Sequence, residues 1–341
     1  MTLGQVSHVF QRTSSLMSLD RATRHAIFDL LAPTDLANVA LVCSALDAEV
    51  AAYWKHQLAT LAARFVEHPQ ALLSTMQDYR VVFSGSAVLA ALLRARWRPG
   101  DLDVYCPAEF FLAVVYHFAN IQGYQLENPE VLGYEDDEAH PGGPPGWALG
   151  YGGAPHIQSV AHMRKGDMEV DIIQSVTTSA IEPIAAFWTT AVQNFMSPKV
   201  FCMAYPTLTE QQCGLLAPVH LVDTELPPPR IIELIRKYER RNFRFAVRPY
   251  ALQEPRTCLG QSSPDCPSSV RFFGDGHSTI FKTMGVNERL HNPGWMDVLR
   301  RENVIWWRGG RVCGEECGTV GMRVWPGLVS DHGVHATTGG L

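Results

Sequence analysis

The stretch Tyr79–Pro107, YRVVFSGSAVLAALLRARWRPGDLDVYCP, sets the architecture expected of this chain. Arg80-Val81-Val82-Phe83 is apolar and β-branched enough for a buried strand, and Ser84-Gly85-Ser86 is where the backbone must turn sharply into a helix. Gly85 removes the Cβ at that turn. A glycine turn feeding a helix N-terminus directs backbone N–H groups outward, which suits phosphate oxygens, and Ser86 adds a hydroxyl or a cap. Leu89, Leu92 and Leu93 follow with helical spacing, and Arg94, Arg96 and Arg98 crowd the far end, where cations complement the helix dipole.

Asp101-Leu102-Asp103-Val104-Tyr105 alternates with period two, so Asp101 and Asp103 share one face, their Cα atoms roughly 7 Å apart. Two carboxylates at that separation suit a pair of divalent ions set about 3.5 to 4 Å apart. Leu102 and Val104 face the core. A third carboxylate comes from a hairpin over residues 157–173, with Lys165-Gly166-Asp167 as its turn. Glu169 and Asp171 share a face of the return strand. Asp171 is the stronger candidate because Val170 and Ile172 flank it, and an acid among aliphatic residues is costly without a partner.

In this order the residues resemble the nucleotidyltransferase superfamily related to DNA polymerase β. The resemblance covers residues 77–175 and rests on Gly85-Ser86, Asp101, Asp103 and Asp171. It departs in spacing: fourteen residues separate Ser86 from Asp101, which implies a longer helix or exit loop. It implies an NTP substrate bound at Gly85 and Ser86, Mg²⁺ or Mn²⁺ on Asp101, Asp103 and Asp171 as catalytic and metal-holding residues, and transfer of a nucleotidyl group to an unknown acceptor.

The formal charge of −6 excludes a general nucleic-acid coat protein, so nucleic-acid contact would have to be local. No signal segment and no apolar run long enough to span a bilayer is present, so no membrane partner and an intracellular location, cytoplasmic or nuclear, are expected. The eight cysteines then read as thiols or metal ligands rather than disulfides. Cys258, Cys266, Cys313 and Cys317 form two pairs compatible with a Zn²⁺ site, although their spacing is looser than a zinc ribbon's.

Residues 18–50 are helical in pattern and resemble an F-box, through Ile27-Phe28, Leu30-Leu31, Asp35-Leu36 and Ala40-Leu41-Val42-Cys43. The family's proline is replaced by Asp20, and its downstream tryptophan is missing unless Trp54 substitutes. An F-box implies docking on a Skp-type adaptor, and the alternative function is a substrate adaptor of a cullin ubiquitin ligase with a catalytically silent nucleotidyltransferase-like domain. The plainer reading is a helical bundle that caps the next domain. The combination resembles a type of protein associated with fungi.

The fold class expected is α+β: a helical F-box-like region over 1–66, a nucleotidyltransferase-like mixed sheet flanked by helices over 67–178, and a mixed C-terminal region over 179–326. Residues 127–155, acidic and rich in Gly and Pro, read as a flexible loop, and 327–341 as a disordered tail. Residues 182–196 read as one amphipathic helix. Seven cations between Arg230 and Arg248 form two helical stripes, suited to triphosphate or an RNA backbone but also to an ordinary solvated face.

Overall fold

The computed structural model describes residues 16–132, 156–217, 229–252, 263–291, 299, 304–311, 323–324, 327–330 and 333–336. It is an α+β protein, with N-terminal helices packed on a large mixed sheet. Helices α1 (Arg21–Phe28), α2 (Pro33–Ala40), α3 (Ser44–Ala62) and α4 (Pro69–Asp78) precede β1 (Val82–Ser84). Then come α5 (Gly85–Leu92), β2 (Asp101–Cys106), α6 (Phe111–Asn120), β3 (Gln125–Leu126), and the hairpin β4 (Ile157–Lys165) and β5 (Met168–Ser175). The extra spacing after Ser86 is an exit loop, because α5 stops at Leu92.

Residues 182–196, expected as one helix, are divided instead. A short α7 (Glu182–Ala185) ends before Thr189, whose extended backbone and hydroxyl capture the Ala191 N–H, and β6 (Asn194–Met196) joins the sheet beside β1. The residues are buried as their apolarity requires, but tertiary pairing outcompetes the helical period. The chain continues through β7 (Val200–Met203), α8 (Pro206–Glu210), β8 (Cys213–Leu215), α9 (Pro229–Glu239), β9 (Arg244–Ala246), β10 (Arg271–Phe272), β11 (Thr279–Lys282) and α10 (Val286–His291). The basic stretch is therefore a helix followed by a strand. Gly327–Ser330 and Gly333–Ala336, expected to lack structure, pair with each other as strands, and the first also pairs with Ile305–Trp307, burying Leu328. Of the loop at 127–155, residues 133–155 lie outside the described residues, as do Cys258, Cys313 and Cys317. The five cysteines among the described residues are free thiols.

The eight-stranded sheet runs β11-β7-β6-β1-β2-β5-β4-β3 and is antiparallel except where β2 and β5 lie parallel. Alternation along β2 sends Leu102 and Val104 into one core and leaves Asp101, Asp103 and Tyr105 on the opposite face. The first core is shared with the N-terminal helices: Phe28, Leu36 and Trp54 belong to the same cluster as Phe83, Val88, Val104, Phe201 and Phe281.

Polar contacts reinforce that union. Arg94, left-handed at φ 47°, donates to the Tyr53 hydroxyl at 3.0 Å and to the Leu31 carbonyl at 2.8 Å. Its guanidinium therefore serves the α1–α3 bundle rather than the dipole of α5. The N-terminus of α2 is capped from a distance, since Glu210 accepts from the Thr34 N–H at 2.7 Å and from its hydroxyl at 2.8 Å. No helix among the described residues is long and apolar enough to cross a membrane.

Candidate functional site

The turn from β1 into α5 places Gly85 at φ +69°, and a Cβ there would lie 1.8 Å from Asp103 Oδ2. Glycine is thus required twice, by its backbone angle and by the carboxylate pressed over it. Ser84 is the N-cap residue, but its hydroxyl donates to the Asn194 carbonyl at 2.6 Å instead of capping. Ser86, in the first turn, brings its hydroxyl 3.5 Å from Asp101 Oδ1.

Register gathers the acids. Asp103 stands beside Ser84 on one side and beside Asp171 on the other, and Asp101 stands beside Glu169. All three aspartates line one trough of about 470 Å³ together with Gly85 and Ser86. Glu169 is drawn off to Arg164 at 2.7 Å. Asp171 Oδ1 accepts a hydrogen bond from His162 Nδ1 at 2.8 Å. Burial pushes the Asp171 carboxyl above its ordinary range, with the charges of Asp101 and Glu169 adding to the effect and His162 opposing it. Tyr105, two residues past Asp103, is buried in the trough floor, and its phenol is pushed well up by burial and by the three aspartates.

The opposite wall comes from segments whose position no local pattern announces. Arg230, Leu234, Lys237 and Tyr238 of α9 line the trough at helical spacing, and Phe187 and Trp188 close one side. Of the seven cations in the basic stretch, Arg230 and Lys237 are the two that line it. Farther along, His156 and Glu182 form a buried pair, Nδ1 to Oε1 2.9 Å, and Thr177 Oγ1 donates to Glu182 Oε2 at 2.7 Å.

His162 was legible and was missed. With Gly166 and Asp167 as a two-residue turn, counting back along both strands puts His162 opposite Asp171, where the structure has it. As placed, no three His, Cys, Asp or Glu side chains among the described residues converge closely enough to hold a metal ion. Asp171 is turned to His162 and Asp103 is pressed over Gly85. The donor set itself, three carboxylates on one trough face, is of the hard oxygen type that Mg²⁺ and Mn²⁺ favour. No family model, curated protein or solved structure matches this chain.

Proposed function

We propose that the trough is the site of a metal-dependent nucleotidyl transfer, in which an NTP donates its nucleotidyl group to an acceptor hydroxyl. The observation that carries this reading is the adjacency of Asp103 and Asp171 on parallel strands over Gly85, with Arg230 and Lys237 on the facing helix. Carboxylates gathered in one place repel one another unless a cation is shared, so the arrangement is costly without a ligand. Asp101, Asp103 and Asp171 would hold Mg²⁺ or Mn²⁺, with Asp171 sharing or giving up its hydrogen bond to His162. A divalent ion, when bound, offsets the charge on the transferred phosphoryl group and on the leaving pyrophosphate.

The chain's own groups do the rest. Backbone N–H groups at Gly85 and Ser86 donate to phosphate oxygens at the start of α5. Arg230 and Lys237 neutralise the remaining triphosphate charge, and the walls at Phe187 and Trp188 cover the nucleoside and exclude water. In the transfer, the acceptor oxygen bonds to the α-phosphorus as the bond to the β-phosphate oxygen breaks. Pyrophosphate leaves with the electron pair, and the acceptor proton passes to solvent.

The test is titration calorimetry with each of the four NTPs and Mg²⁺ or Mn²⁺, on wild type and on Asp101→Asn/Asp103→Asn. Metal-dependent binding in wild type that the double variant loses supports the reading. No binding of any nucleotide by wild type overturns it.

A second reading, docking of the N-terminal helices on a Skp-type adaptor, is favoured by one observation. Leu30, Leu41 and Val42 are 85%, 77% and 56% exposed, an unusual outlay of large apolar side chains around α2. Recovery of such an adaptor by wild type but not by Leu30→Glu/Leu41→Glu supports it, and no recovery by either sinks it.

A further inference from the structure

Two basic stretches far apart in sequence meet beside the trough. Residues 94–98, RARWR, leave α5 toward Asp101, and residues 236–244, RKYERRNFR, close α9 and open β9. Their junction is aromatic. Trp97 meets Phe243 edge to face at 6.1 Å between centroids, and the Arg241 guanidinium lies 5.1 Å from the centroid of Trp97 and 5.1 Å from that of Tyr238. Tyr238 is also part of the trough wall, so patch and trough are continuous.

Arg96 and Arg98 flank Trp97 in sequence, Arg240 precedes Arg241, Arg236 lies one helical turn before Arg240, and all four are exposed. Among the described residues none of the four forms an ion pair, although Glu233 and Glu239 stand on the same helix as the last two. An ordinary solvated helix face explains one stripe of charge on one helix. It does not explain why packing brings a second arginine cluster against the first in a chain whose formal charge is −6. Like charges brought together this way are stabilised by a polyanion, and the partly exposed edge of an indole among arginines offers a surface against which a base can pack.

We propose that this patch binds the backbone of a single-stranded polynucleotide and directs its end into the trough. The strand is single because bases are free to stack on Trp97 only when unpaired. Its identification as the acceptor rests on the nucleotidyl-transfer reading above; the binding itself does not.

The experiment is fluorescence anisotropy of a labelled 20-nucleotide RNA of mixed sequence, and of the DNA of the same sequence, with the full chain in 50 to 200 mM KCl. Contact with four phosphates should weaken binding about fifty-fold across that range, from the slope expected for single strands. Arg96→Gln/Arg98→Gln and Arg236→Gln/Arg240→Gln should each lose at least about tenfold in affinity and flatten the salt slope by about 1.4. Their melting temperatures and NTP binding should match wild type, since all four side chains are exposed. The proposal is overturned if wild type binds neither oligonucleotide at 50 mM KCl, or if both double variants bind as tightly as wild type. It is also overturned if only phosphatidylserine vesicles, and no oligonucleotide, are bound through these arginines. Asp101→Asn/Asp103→Asn should lose NTP binding and keep oligonucleotide binding. In wild type, absent oligonucleotide binding with intact NTP binding removes the polynucleotide, whereas absent NTP binding with intact oligonucleotide binding removes the transfer reading and leaves the patch.

Discussion

Gly85 and Asp103 are in contact so close that a methyl group on Gly85 would lie 1.8 Å from Asp103 Oδ2. The contact couples the β1–α5 turn to the acid in the middle of β2, so a change in the backbone of one displaces the carboxylate of the other. Gly85→Ala therefore suffers twice. The left-handed φ of +69° costs an L-residue about 1 to 3 kcal/mol, and Asp103 must move to admit the methyl group. Thermal melting should show the loss of stability, and calorimetry should show nucleotide affinity down at least tenfold.

The Asp171 carboxyl is held above its ordinary range chiefly by burial, so ionisation is harder in the folded state than in the unfolded one. The sign follows directly. Between the unfolded and folded pKa values the folded state binds more protons, and stability falls as pH rises through that window. Asp171→Asn should melt at a higher temperature than wild type at pH 7 to 8 in the absence of divalent ions. That advantage should vanish as pH falls below the ordinary carboxylate range, and the same variant should lose metal-dependent NTP binding.

Arg271 and Asp275 behave in the opposite sense. Burial alone would raise the Asp275 carboxyl, but bonds from Arg271, Ser278 and the His277 N–H outweigh it and hold the group below its usual value. Arg271 is buried against the Tyr205 ring, its guanidinium 4.3 Å from the centroid. Stability from a depressed carboxyl is present above the unfolded pKa of about 3.9 and is lost as pH falls through the lower folded value. Asp275→Asn should cost about 3 to 5 kcal/mol at neutral pH by leaving a buried cation without its counter-charge. Urea denaturation at pH 7 and pH 3 should show the difference narrowing in acid.

Trp54 of α3 lies 4.8 Å from Phe281 and 5.8 Å from Phe201 between ring centroids, in the core beneath the sheet. The N-terminal helices should therefore not be separable from the rest. Trp54→Ala should cost about 3 to 5 kcal/mol, and removal of residues 16–62 should leave a chain without a cooperative melting transition. A truncated chain that unfolds cooperatively would show the helical region to be an independent module.

How far the site was readable depends on the range of the contact. The strand, Gly-Ser turn, helix and Asp-x-Asp strand over 79–107 follow from hydrophobic period and one glycine, and all form in that order, the first strand at Val82–Ser84 rather than Arg80–Phe83 because Arg80 is left-handed at φ 56°. The hairpin carrying Asp171 follows from its turn. Counting across that turn also yields the His162 pairing, because a two-residue turn fixes the register of both strands. The division of 182–196 was not readable, because its apolar residues satisfy a helix and a sheet-bound strand equally well until a partner is present.

Alone, the amino-acid order determined which side chains share a face: Asp101 with Asp103, Leu102 with Val104, and Arg230 with Lys237 along α9. Those relationships are set by backbone periods of 2 and 3.6 and need no knowledge of neighbours. Only the tertiary structure decided which faces meet. It set Asp103 beside Asp171, brought α9 across the trough, capped α2 with Glu210 and joined Trp97 to Arg241. These contacts span tens to hundreds of residues, and they arise because buried apolar surface can be covered in few ways, a condition that belongs to the whole chain and to no segment of it.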